Sequence, residues 1–130
     1  MTLCLDYLHV RVNLHYVHVL SVPASITDVS SDQTVSEESN MQLLCEATGK
    51  PTPNITWTRV LEDGSNSEVL HQGPTWDFPN ISRTDAGTYH CTADNGFGNP
   101  VGYQVNVNVT CEYFTFPNHC LGTINHSSYH

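Results

Sequence analysis

Several stretches of this chain alternate apolar and polar residues with a period of two, the pattern of a strand that buries one face. Near the start, Leu8, Val10, Val12, Leu14 and Tyr16 alternate with His9, Arg11, Asn13 and His15. Met41, Leu43 and Cys45 share one face of a second stretch, and Ile55 and Trp57 share one face of a third, leaving Asn54, Thr56 and Thr58 outward. Tyr89 and Cys91 lie two apart, so both point inward. In the last stretch Val101, Tyr103, Val105, Val107 and Val109 alternate with Gly102, Gln104, Asn106 and Asn108, which predicts a strand packing the first set inward.

Turn signals separate these stretches. Gly49, Pro51 and Pro53 form a stiff loop, Glu62-Asp63-Gly64-Ser65 a turn, and Glu68 to His71 a short edge strand. Asn95-Gly96 within Ala93 to Pro100 is a strong hairpin signal. At Asp85-Ala86-Gly87, Gly87 supplies backbone freedom and Asp85 can hydrogen-bond backbone groups nearby.

Cys45, Trp57 and Tyr89-x-Cys91 together form a layout that resembles the immunoglobulin domain. Asp85-x-Gly87-x-Tyr89-x-Cys91, the Gly49-x-Pro51-x-Pro53-x-Ile55-x-Trp57 run and Ala93-x-Asn95-x-x-Gly98 are similar to the I-set branch found in adhesion molecules and receptor ectodomains. The chain departs from the family pattern at Glu38, where many members carry Gly. The resemblance implies an all-β, Ig-like antiparallel β-sandwich of Greek-key type, with one inter-sheet disulfide between Cys45 and Cys91 and a tyrosine corner at Tyr89. On the chain-entropy account that disulfide contributes about 4 kcal/mol, and it requires an oxidising compartment. Trp57, Trp76, Phe78, Ile81, Asp85, Gly87 and Tyr89 are the expected structural core. The interval between Trp57 and Asp85 is too short for the extra C′ and C″ strands of a variable-type domain.

The expected organisation is an N-terminal extension at 1–21, an immunoglobulin domain at 22–109 and a poorly ordered tail at 110–130. Asp6, His9, Arg11, Asn13 and His15 interrupt what would be the apolar core of a signal peptide. The extension reads either as the last strand of a preceding domain or as a chain end with no fold of its own. Five cysteines, an odd number, leave Cys4, Cys111 and Cys120 without an assigned pairing.

Thirteen acidic residues against four Lys and Arg give a net charge of −9 over 130 residues. That balance repels phosphate-bearing polymers, so nucleic acid and anionic membrane are not expected partners. No apolar run approaches the roughly 20 residues needed to span a bilayer.

The candidate chemistry is modification rather than catalysis. Asn54, Asn80, Asn108 and Asn125 each begin an Asn-x-Ser/Thr sequon, and alternation places the first three outward. Asn54 belongs at one end of the sandwich and Asn80 and Asn108 at the other. The eight histidines and the cysteines lack the short paired spacing of a structural zinc site. No nucleophile elbow, metalloprotease helix or phosphate-cradling loop occurs, so neither a catalytic site nor a cofactor is expected. The outward residues of the presumed C-F-G sheet are small and polar, and Phe97 at the hairpin tip is the candidate partner contact.

The expected function is an extracellular adhesion or recognition module acting by protein-protein contact. Its partners are homophilic or heterophilic cell-surface proteins. The alternatives are a ligand-binding ectodomain module of a receptor tyrosine kinase or phosphatase, or an intracellular I-set spacer of the muscle-filament type.

Overall fold

A computed structural model describes the backbone over residues 6–12 and 15–111, and side chains from residue 20 to residue 111. Cys4, Cys120, Asn125 and the expected tail beyond residue 111 lie outside the described residues. The strands are β1 (Asp6–Val12), β2 (His15–Val29), β3 (Gln33–Ser36), β4 (Met41–Lys50), β5 (Asn54–Arg59), β6 (His71–Gln72), β7 (Thr75–Phe78), β8 (Gly87–Asp94) and β9 (Val101–Thr110). They form a four-stranded sheet ordered β1-β2-β4-β7 and a five-stranded sheet ordered β3-β9-β8-β5-β6. The chain crosses between sheets from β2 to β3, from β3 to β4, from β4 to β5, from β6 to β7 and from β7 to β8. All pairs are antiparallel except β3 with β9.

The inner faces follow the period-two pattern. Met41, Leu43 and Cys45 from β4 meet Ile55 and Trp57 from β5, and Tyr89, Cys91 and Ala93 from β8. Val105 and Val107 from β9 complete the same core. Cys45 and Cys91 are fully buried and disulfide-bonded across the sheets, with their Cα atoms 6.5 Å apart. Trp57 lies opposite Cys91 on the neighbouring strand, is fully buried, and donates its indole N–H to the Gly73 carbonyl at 3.2 Å. That bond lets the largest core side chain be buried without leaving a polar atom unpaired.

Three expectations need correction. Trp76 is only partly buried, because β7 is the last strand of its sheet; the imidazole of His71 stacks on its ring at 5.1 Å, while Phe78 and Tyr89 pack on it at 4.6 and 5.5 Å. The edge strand expected at Glu68 to His71 is instead the two-residue β6, with Val69 and Leu70 exposed before it. β6 pairs with β5 on the side away from β8, which is the C′ position that the short interval seemed to exclude. β2 runs unbroken across residues 21 and 22, and β1 pairs with it as a hairpin.

The turn before β4 shows what the departure at Glu38 costs. Glu38 has φ +71°, the left-handed region that favours glycine, while its N–H donates to the Ile81 carbonyl at 2.7 Å. Glu38→Gly removes that backbone strain and should stabilise the domain by about 1 kcal/mol in denaturant titration. Trp57→Ala, which opens the centre of the core, should cost about 3 to 5 kcal/mol in the same measurement.

Candidate recognition surface

The turn that positions the five-stranded sheet is a single hydrogen-bonded unit. Ser82 caps the short helical turn Arg83–Asp85, its hydroxyl accepting from Thr84 N–H at 3.1 Å while Asp85 Oδ2 accepts from Ser82 N–H at 2.9 Å. The Tyr89 hydroxyl donates to the Asp85 carbonyl at 2.6 Å, which is the expected tyrosine corner. Burial pushes the Tyr89 phenol above its ordinary pKa, partly opposed by the Arg59 charge.

Arg59 is the residue that sequence reasoning missed. Its guanidinium lies 5.5 Å from the Tyr89 ring centroid and donates to the Thr84 carbonyl at 3.2 Å and to the Ala86 carbonyl. Gly87, at φ +155°, makes room for it: a Cβ there would stand 2.8 Å from Arg59 Nη2. The available signal was parity, since Arg59 continues the inward series Ile55 and Trp57 with a charged residue.

The outer face of β5, β8 and β9 carries the expected small polar groups. Thr56 stands opposite Thr92, Thr58 opposite His90, and His90 opposite Gln104. Thr88 donates to Asn106 Oδ1 at 2.7 Å. His90 Nδ1 lies 3.3 Å from the Asn66 amide, and its ring covers Gly102, where any Cβ would collide with it. A shallow groove of about 830 Å³ runs over Asp32, His90, Gly102 and Gln104.

Phe97 is partly buried, so the candidate contact is not an exposed anchor. Asn95 explains why. Its amide donates to the Val22 carbonyl at 2.7 Å and the Pro51 carbonyl at 3.0 Å, and its Oδ1 accepts from Phe97 N–H at 3.1 Å. Asn95-Gly96 is thus not a two-residue turn but part of a six-residue loop fastened to neighbouring segments. The exposed aromatic among the described residues is Tyr103, at 53%. Alternation assigned it inward, but it lines an open groove of about 350 Å³ together with Ile26, Thr27 and Val29 and stays in contact with solvent.

Asn54, Asn80 and Asn108 are all exposed. Asn54 pairs with Asp94 beside the turn from β4 to β5, whereas Asn80 adjoins Asn40 and Asn108 pairs with Thr34 towards the opposite end. Cys111 is buried and disulfide-bonded. Among the described residues no cluster of His, Cys, Asp or Glu could hold a metal ion, and no helix is long and apolar enough to cross a membrane.

Two sheets locked by a buried disulfide, with a tyrosine corner and a polar sheet face, define an immunoglobulin-type β-sandwich. The immunoglobulin-domain family model matches residues 23–95, more than half of the chain, and the chain belongs to that family. It is 44% identical over 78 residues to human IgLON family member 5, covering 60% of this chain and 22% of that protein. It is 39% identical over 108 residues to Drosophila melanogaster lachesin, covering 77% of this chain and 29% of that one. The solved complex of Dpr2 Ig1-Ig2 with DIP-Theta Ig1-Ig3 contains a chain that is 31% identical, with a TM-score of 0.61 and coverage of 73% of this chain and 36% of that one. The chain thus spans under a third of the length of these curated relatives.

Asp32 is the acid on this surface with a defined geometry. It accepts from Asn106 N–H at 2.9 Å and from the Asn106 side-chain amide at 3.2 Å, and these bonds hold its carboxyl below the ordinary 3.8. A depressed carboxylate pKa contributes stability that is present above the unfolded value and lost as pH falls through the folded one. Carboxyl-carbon NMR should therefore show Asp32 titrating below 3.8, with the Asn106 contact released only in that acid range.

Proposed function

We propose that residues 22–109 form an I-set-type recognition unit of a larger cell-surface protein, flanked by the 1–21 and 110–130 segments, and that it works by protein-protein contact. The observation that carries this reading is the outer face of β5, β8 and β9. It is a continuous polar surface of threonine, histidine, glutamine and asparagine on a disulfide-locked sheet, suited to weak, specific, wet contacts rather than to a tight apolar dimer. The Cys45–Cys91 bond and the exposed sequons both suit an oxidising, secretory setting and speak against an intracellular spacer. Asn54, Asn80 and Asn108 are proposed glycan sites, and Asn125 a fourth beyond the described residues.

The direct test is binding of the immobilised chain to a panel of cell-surface immunoglobulin ectodomains, a second copy of itself included. Weak binding to at least one, abolished by Thr92→Arg on the outer face, is the expected result. Binding that ignores that substitution, or none across the panel, overturns the reading. Protein secreted from eukaryotic cells should also lose mass on glycosidase treatment, and non-reducing peptide maps of it should link Cys45 to Cys91.

A further inference from the structure

The five-stranded sheet has an open edge along β9. β8 pairs with one side of β9 from Val101 to Val107, but on the other side β3 covers only Val107 to Thr110. The direction of the remaining groups follows from Asn106, whose N–H goes to Asp32 and hence away from β8. Backbone groups alternate sides along a strand, so those of Gly102 and Gln104 also point to the open edge. Asp32 occupies the Asn106 rung; the outward N–H and C=O groups of Gly102 and Gln104 have no partner among the described residues.

Both sides of this edge are built to receive side chains. On one side lies the groove of about 350 Å³ between exposed Tyr103 and the end of β2, with Asp28 on its rim. On the other lies the groove lined by His90, Gly102 and Gln104, with Asp32 on its rim. A strand laid along the edge would send alternate residues into the two grooves, each with an exposed carboxylate. The described cations do not neutralise them: Arg59 is bound to the Thr84 and Ala86 carbonyls, Arg83 pairs with Glu37 at 3.4 Å, and Lys50 lies at the far end of β4.

We infer that the Gly102–Gln104 edge accepts an extended, basic peptide segment of another protein as an added strand. Main-chain hydrogen bonds to Gly102 and Gln104 hold the segment, and its Lys or Arg side chains face Asp28 and Asp32. A second copy of this chain is disfavoured, since it would bring the same carboxylates and a net charge of −9 against their like. The inference rests on the recognition reading but uses the edge of the sheet rather than its face, and the two are tested by different variants.

The probe is a capped seven-residue peptide in which adjacent pairs of lysines are separated by single valines, so that lysine reaches both grooves, titrated at low salt into the isotope-labelled full chain. Amide exchange at Gly102 and Gln104 should slow on binding, and affinity should fall as salt rises. Asp28→Lys should weaken binding about fivefold. Gln104→Pro, which removes an outward N–H and none from the β8 ladder, should weaken it about tenfold. A peptide with glutamate in place of lysine should not bind. Thr92→Arg, the face variant, should leave this binding unchanged. Should Gln104→Pro fail to fold, the exchange rates of the unaltered protein decide. Unchanged exchange at Gly102 and Gln104, shifts confined to Thr58 and Thr92, or a dimer that occupies the edge by itself would each overturn the inference.

Discussion

The Cys45–Cys91 bond joins the middle of β4 to the middle of β8 through the interior, with Trp57 opposite Cys91 on the adjoining strand. It fixes the separation of two sheets whose strands otherwise meet only through side chains. Closing that loop contributes about 4 kcal/mol on the chain-entropy account, comparable with the whole net stability of a small domain. The tyrosine corner and the Arg59 clasp then set the angle at which β8 enters its sheet. Because β8 is flanked by β5 and β9, the polar face they share inherits its register from that one corner.

The sequence spoke most clearly where a residue's environment is decided by strand parity in the middle of the sandwich. Leu43, Ile55, Trp57, Tyr89, Val105 and Val107 are buried because both sheets cover them. Parity became less informative towards the rims. Tyr103 has inward parity and yet is exposed, since an open groove lies between it and the facing strand β2. Trp76 sits at a sheet edge for a related reason and needs His71 as its lid. Neither outcome is encoded in the local pattern, because both depend on where a strand distant in sequence lies.

Short polar contacts were the other illegible part. Asn95-Gly96 carries a strong local preference for a tight turn. Two carbonyls from distant segments compete for the Asn95 amide, and that tertiary arrangement prevails. Asp32 likewise looks like an ordinary loop acid until its carboxylate is seen to terminate a strand edge at Asn106. Arg59 looks like a solvated charge until Gly87 is seen to leave a place for it.

The bonds made by Asn95 bear on the entropy of association. One amide ties the loop between β8 and β9 to the start of the domain at Val22 and to the turn between β4 and β5 at Pro51. Loops that meet at one end of a sandwich would ordinarily each lose freedom when a partner arrives, at about 0.5 to 1.5 kcal/mol for every rotamer-rich side chain immobilised. Here much of that ordering is already incurred during folding, so a partner approaching this end would meet a rigid platform.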